Sequence, residues 1–197
     1  MKNCVTELPE GYTERYRLEL QKDKKTAVCI NLGALLIAVL LFALGHLVVP
    51  VTPMLPFTDD LGLLLGIAGK WALALLGMVV YIVLHELVHG ITMKAFGCPK
   101  VKYGFSVLYA YAGSEAYFRK RPYLVIALAP VVLWGIVLLI ASCLVDDAWF
   151  WVVYLVQIQN LSGAVGDFYV SFRFSRLPAD LLVQDTGTSM TVYTREA

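Results

Sequence analysis

The sequence predicts an all-α membrane protein, with four transmembrane helices and a small cytoplasmic β-hairpin between the second and third. Three observations lead there. Of the 197 residues, 59% are hydrophobic and 16% charged, and mean hydropathy is +0.70, more apolar surface than a single soluble core of this length absorbs. The apolar residues fall in long uncharged runs. The basic residues, Lys70 apart, fall in the polar segments on one side of those runs.

Residues 1–26 carry Lys2, Arg15, Arg17, Lys22, Lys24 and Lys25, a stretch too long and too mixed for the basic start of a cleaved signal peptide. They are expected to stay on the chain as a cytoplasmic segment. Residues 27–49 run 23 positions without a charge. At roughly 1.5 Å per residue this is about 34 Å of helix, enough for a hydrocarbon core of about 30 Å. Pro50, Pro53 and Pro56 then forbid continuation. The second apolar region, 61–96, is too long for one straight span and contains Lys70. The span is therefore set at 71–93, with 61–69 as a membrane-adjacent approach. Third and fourth spans fit 123–145 and 148–170, joined by a turn at Asp146 and Asp147.

Residues 97–121 differ in kind. The odd positions from Val101 through Tyr103, Phe105, Val107 and Tyr109 to Tyr111 are large and apolar or aromatic, a period-2 strand pattern. Gly113-Ser114 reads as a turn and 115–120 as a returning strand, making a cytoplasmic hairpin. Residues 171–197 are read as a cytoplasmic tail, and the whole chain as one membrane-embedded domain. Asp59, Asp60, Asp146 and Asp147 mark the opposite connectors, so a multi-pass protein of the cell membrane is expected, with both termini cytoplasmic.

A net charge of +1 gives no footprint for a nucleic-acid partner. Cys4, Cys29, Cys98 and Cys143 are scattered, forming neither a disulfide framework nor a CxxC pair, so a metal site must use other ligands. The second span supplies them as His85-Glu86-Leu87-Val88-His89. On a helix, His85 and His89 stand one turn apart on one face and can share a Zn²⁺ ion, while Glu86 can act as general base on the attacking water. Two imidazoles and a carboxylate inside a membrane span are costly unless they have partners or a function.

Such a site needs a third protein ligand. The candidates are His46, Glu115, Asp146, Asp147 and Asp167. Counted along their spans, His85 and His89 lie about 21 and 27 Å deep and Asp167 about 28 Å. His46, Asp146 and Asp147 fall at the opposite surface. Asp167 is the expected ligand, with Glu115 in reserve. Asn160 shares a helix face with Asp167, seven residues apart. It is read either as a donor to substrate or to the transition-state oxyanion, or as an interhelical hydrogen bond. Asp185-Thr186-Gly187 has the letters of an aspartic-protease loop, but a single triplet lacks the second carboxylate that chemistry needs and reads as a turn between strands. Cys98 reads as a reduced cytoplasmic thiol.

HExxH in one span, an intervening β segment, and Asn160 with Gly166-Asp167 in a later one resemble the site-2 protease class of intramembrane zinc metalloproteases. The chain resembles more closely the zincin-peptidase family of small bacterial membrane proteins, over most of its length. It differs from the former in having Phe168 after the aspartate and Gly163 where a proline is usual. The resemblance implies hydrolysis of peptide bonds in or beside the bilayer, with a membrane protein or peptide as substrate. Tyr103, Phe105 and Val107 would either pair with an extended substrate through their strand or belong to a hairpin that plugs the site. Two other readings stay open: a non-catalytic membrane scaffold or regulator that retains a zinc site, and a small metal or proton transporter.

Overall fold

The computed structural model describes residues 3–19, 23–105 and 110–195. They are not all-α: seven strands accompany the helices, in a five-stranded and a two-stranded antiparallel sheet. Among the described residues three helices, not four, are long and apolar enough to cross a membrane: α1 (Lys24–Val48), α2 (Leu61–Ala95) and α3 (Lys120–Leu144), with mean hydropathies of 2.7, 2.1 and 2.9. Each exposes apolar side chains along much of its length, among them Leu36, Leu40 and Leu47 of α1 and Ile136, Leu139 and Ile140 of α3. Contiguous apolar surface of this kind suits lipid contact.

The expected fourth span is two helices. α4 (Asp147–Gly163) stops at Ala164, and α5 (Val165–Ser175) begins anew. Gly163 and Gly166 flank the break, where glycine's backbone entropy weakens a helix most. The 17 residues of α4 reach only about 25 Å. Its polar residues also turn inward, Gln157 and Asn160 being buried. α2 runs unbroken through Lys70 for 35 residues, so the approach at 61–69 is part of the same helix.

The chain forms two compact units, one of Met1–Asn31, Leu84–Pro130 and Gly166–Ala197, the other of Leu32–Val83 and Val131–Val165. The first unit holds the five-stranded sheet, in the order β1-β5-β6-β7-β2. Its strands are β1 (Cys4–Val5), β2 (Tyr12–Leu18), β5 (Tyr117–Arg119), β6 (Leu181–Asp185) and β7 (Met190–Arg195). One register row crosses it: Cys4, Phe118, Val183, Val192 and Tyr16, one residue from each strand. That row packs with Met93 of α2, Tyr123 and Ile126 of α3, and Val170 and Phe174 of α5 in one apolar core.

This corrects the hairpin of the sequence reading. The single strand expected at 101–111 is two, β3 (Lys102–Phe105) and β4 (Ala110–Gly113), paired with each other. The returning strand β5 pairs with β1 and β6 instead. The N-terminal segment and the tail, read as polar appendages, supply four of the five strands of the larger sheet. Arg15 sits at a bulge between Glu14 and Tyr16, which breaks the alternation that would have marked β2.

In the second unit, Phe150, Trp151 and Tyr154 of α4 pack with Ala38 and Leu41 of α1, Val49 and Met54. Trp151 donates its indole N–H to the Val49 carbonyl (3.0 Å) and Tyr154 its hydroxyl to the Leu41 carbonyl (2.9 Å). A Cβ at Gly45 would overlap the Tyr154 ring. The glycine is what lets the aromatic lie against the backbone.

Candidate metal centre

α2 presents His85 and His89 on one face, one turn apart, with the two Nε2 atoms 3.2 Å from each other. α5 brings Asp167 to them from its first turn, where the helix dipole favours a carboxylate. Its Oδ2 lies 3.4 Å from His85 Nε2 and its Oδ1 3.7 Å from His89 Nε2. Zinc–ligand bonds of roughly 2.0–2.1 Å at tetrahedral angles set neighbouring donor atoms about 3.3 Å apart. The two Nε2 atoms and the approach of Asp167 Oδ2 to His85 lie at about that spacing, while His89 is approached by the other carboxylate oxygen, Oδ1, at the longer distance. The donor set of two imidazoles and a carboxylate is one zinc accepts. Among the described residues this is the only group of three His, Cys, Asp or Glu side chains converging in this way.

The ligands' supports are visible. His89 Nδ1 lies 2.9 Å from the Ile126 carbonyl of α3. A carbonyl only accepts, so Nδ1 carries the hydrogen and the Nε2 lone pair faces Asp167 and His85. The side chains of His85, His89 and Asp167 keep 13%, 12% and 21% of their exposure, so the cluster is recessed without being sealed. Glu86 receives the Ala112 N–H of β4 and interacts electrostatically with His89, Asp167 and Asp185.

β3 is held against the same helix. The Tyr103 phenol lies where a Cβ on Gly90 would be, and Gly90 follows Glu86 by one turn on its face. Burial and the Glu86 carboxylate push the Tyr103 phenol up, which keeps its hydroxyl a donor. Phe105 is exposed at the end of β3, and Val107 lies outside the described residues. Asn160 belongs to the second unit and is wholly buried there. It accepts from the Tyr81 hydroxyl (2.7 Å) and donates to the Val131 carbonyl (3.3 Å), the interhelical role of the sequence reading.

Residues 78–182 match the family described as "Putative zincin peptidase". The chain belongs to that family. Within this zincin-peptidase match fall His85, Glu86, His89, Tyr103 and Asp167, whereas β1, β2 and β7 lie outside it. An uncharacterized 24.7 kDa protein of Pyrococcus woesei is 31% identical over 120 residues, 58% of this chain and 52% of that protein. The chain thus spans about half the length of the curated relative it matches. No solved structure matches it.

The other candidates have different places. Glu115 is exposed and paired with Lys102 at 2.9 Å. His46 Nδ1 accepts the Val51 N–H at 3.1 Å, and Asp146 and Asp147 start α4. The Cys98 thiol is buried against the Ser114 hydroxyl, 2.9 Å away. Sequence reasoning missed Asp185. Its Oδ1 accepts the Gly187 N–H at 2.9 Å, the expected turn, with Gly187 at φ 84°. Its Oδ2 accepts from the buried Tyr123 hydroxyl at 2.7 Å, and its charge interacts with His89 and Asp167. The triplet was legible as a turn, but nothing local signals that the turn packs beside His89 and Asp167.

Proposed function

We propose that the chain is a zinc-dependent endopeptidase that cleaves peptide bonds in or near the membrane, in the manner of site-2 proteases. The observation that carries this reading is the convergence of His85, His89 and the Asp167 carboxylate, each pair of side chains approaching to 3.2–3.7 Å, with Glu86 one residue from the first of them. Membership of the zincin-peptidase family supports it, as do three helices of membrane-spanning length. Zinc bound there would supply Lewis acidity to a water and to the scissile carbonyl. His85, His89 and Asp167 would hold the ion and leave a fourth position open. Glu86, oriented by the Ala112 N–H, would take the proton of the attacking water and return it to the leaving amine. The Tyr103 hydroxyl, beside Glu86, is a donor for substrate backbone, and the β3–β4 ribbon offers an edge for an extended peptide.

Orientation follows from charge and from the sheet. Lys24, Lys25, Lys94, Lys120, Arg173 and Arg176 all belong to the first unit, a basic clustering that supports reading it as cytoplasmic. Both termini are read as cytoplasmic, and the pairing of β2 with β7, which joins the two ends of the described chain in one sheet, supports that reading.

Metal analysis of the purified chain tests the reading. His85→Ala, His89→Ala and Asp167→Ala are each expected to lose zinc. Glu86→Gln is expected to keep zinc and lose peptide cleavage by at least about 100-fold. Full zinc occupancy in Asp167→Ala would remove that ligand, and cleavage by Glu86→Gln at the native rate would remove the mechanism.

A further inference from the structure

α3 carries a proline in its interior, Pro130, fully buried. A proline has no N–H to give to the carbonyl four residues before it, and its ring crowds that carbonyl away from the helix ladder. Four residues before Pro130 stands Ile126, 1% exposed. Its carbonyl is cut off from water and has lost its helical donor, and a buried carbonyl in that position needs another. The donor it meets is the metal-ligand histidine: His89 Nδ1, 2.9 Å away.

We infer that Pro130 is a positioning residue for the metal centre. By withholding an N–H from the Ile126 carbonyl, it makes that carbonyl a dedicated acceptor for His89. The bond holds His89 in its Nδ1–H tautomer and aims the Nε2 lone pair at the point shared with His85 Nε2 and the Asp167 carboxylate. With an ordinary residue at 130 the same carbonyl would lie in the helix ladder, bonded along the α3 axis, and His89 would compete for it. The proline thus converts a backbone group of one helix into a support for a side chain of another. This inference rests on the zinc reading above for the consequence it has at the metal, but not for the tautomer.

Two substitutions in the full-length, detergent-solubilised chain test it. Pro130→Ala and Pro130→Gly both restore the missing N–H but differ in helix propensity, glycine being less favourable than alanine in a helix interior. Both are expected to lower zinc affinity about 10-fold or more in competition with a chelator. In the metal-free protein, ¹⁵N histidine spectra should change from a single Nδ1–H tautomer at His89 to a mixture in each variant. Pro130→Ala should do this while melting at or above the temperature of the parent chain, a split that loss of packing would not produce. Zinc affinity that followed melting temperature across the two variants, or a His89 tautomer unchanged in both, would overturn the inference. If the parent chain bound no zinc, the peptidase reading would fall, and the tautomer comparison would still decide the role of Pro130.

Discussion

Asp185 is a buried carboxylate with two donors, the Tyr123 hydroxyl and the Gly187 N–H, and its energetics are set by what surrounds it. Burial pushes its carboxyl above the usual range, with those two hydrogen bonds pulling the other way. A carboxyl that holds its proton more tightly folded than unfolded stabilises the fold fully in acid. It withdraws that contribution as pH rises through its folded pKa. Asp185→Asn should therefore melt with a flatter pH dependence above the ordinary carboxylate range, and an identical slope would show that Asp185 does not set it. Tyr123→Phe leaves the carboxylate short of a donor and should cost about 1–3 kcal/mol. At this scale the sequence was most informative where chemistry and spacing coincide. His85, Glu86 and His89 could be named from a helical repeat, because one turn of helix is a local rule. Asp185 could not, because Tyr123 is 62 residues away and the His89 and Asp167 charges it meets lie on other elements.

At the scale of elements, the packing of β3 on α2 turns on Gly90. Adding a Cβ there would strike the Tyr103 phenol, so Gly90→Ala should shift the β3–β4 ribbon from the helix and reduce peptide cleavage. Tyr103→Ala removes the obstacle. In a double-mutant cycle the pair should therefore be non-additive, with Gly90→Ala adding little to Tyr103→Ala. Strict additivity in cleavage rate would mean that the two do not touch in the working enzyme. The alternation from Val101 to Tyr111 overlaps two strands, β3 and β4, rather than marking one, because period alone does not say how many strands a run makes or which neighbour each joins. The break at Ala164 was hidden for a similar reason. Residues 148–170 are apolar enough to read as one span, and only the packing of α4 and the restart of α5 place Asp167 in a first turn.

The whole first unit depends on a row of side chains drawn from five separated strands, with Phe118 at 0% exposure. Phe118→Ala should cost about 3–5 kcal/mol. Because α2, α3 and α5 share that core with the sheet, the same change should weaken zinc binding from a distance. Melting curves with and without zinc would read both effects, and a destabilised variant with native zinc affinity would uncouple the sheet from the site. The sequence by itself determined that α1, α2 and α3 are long and apolar enough to cross a membrane, and it determined the two histidines with their glutamate. Long apolar runs and a one-turn repeat are properties of contiguous residues. Only the tertiary structure decided that the N-terminal segment and the tail close a sheet, that α5 is separate from α4, and that Ile126 and Asp185 stand beside His89. Strands of two or three residues carry no period of their own, and a hydrogen bond between segments far apart in the chain leaves no mark on either until the core has brought them together.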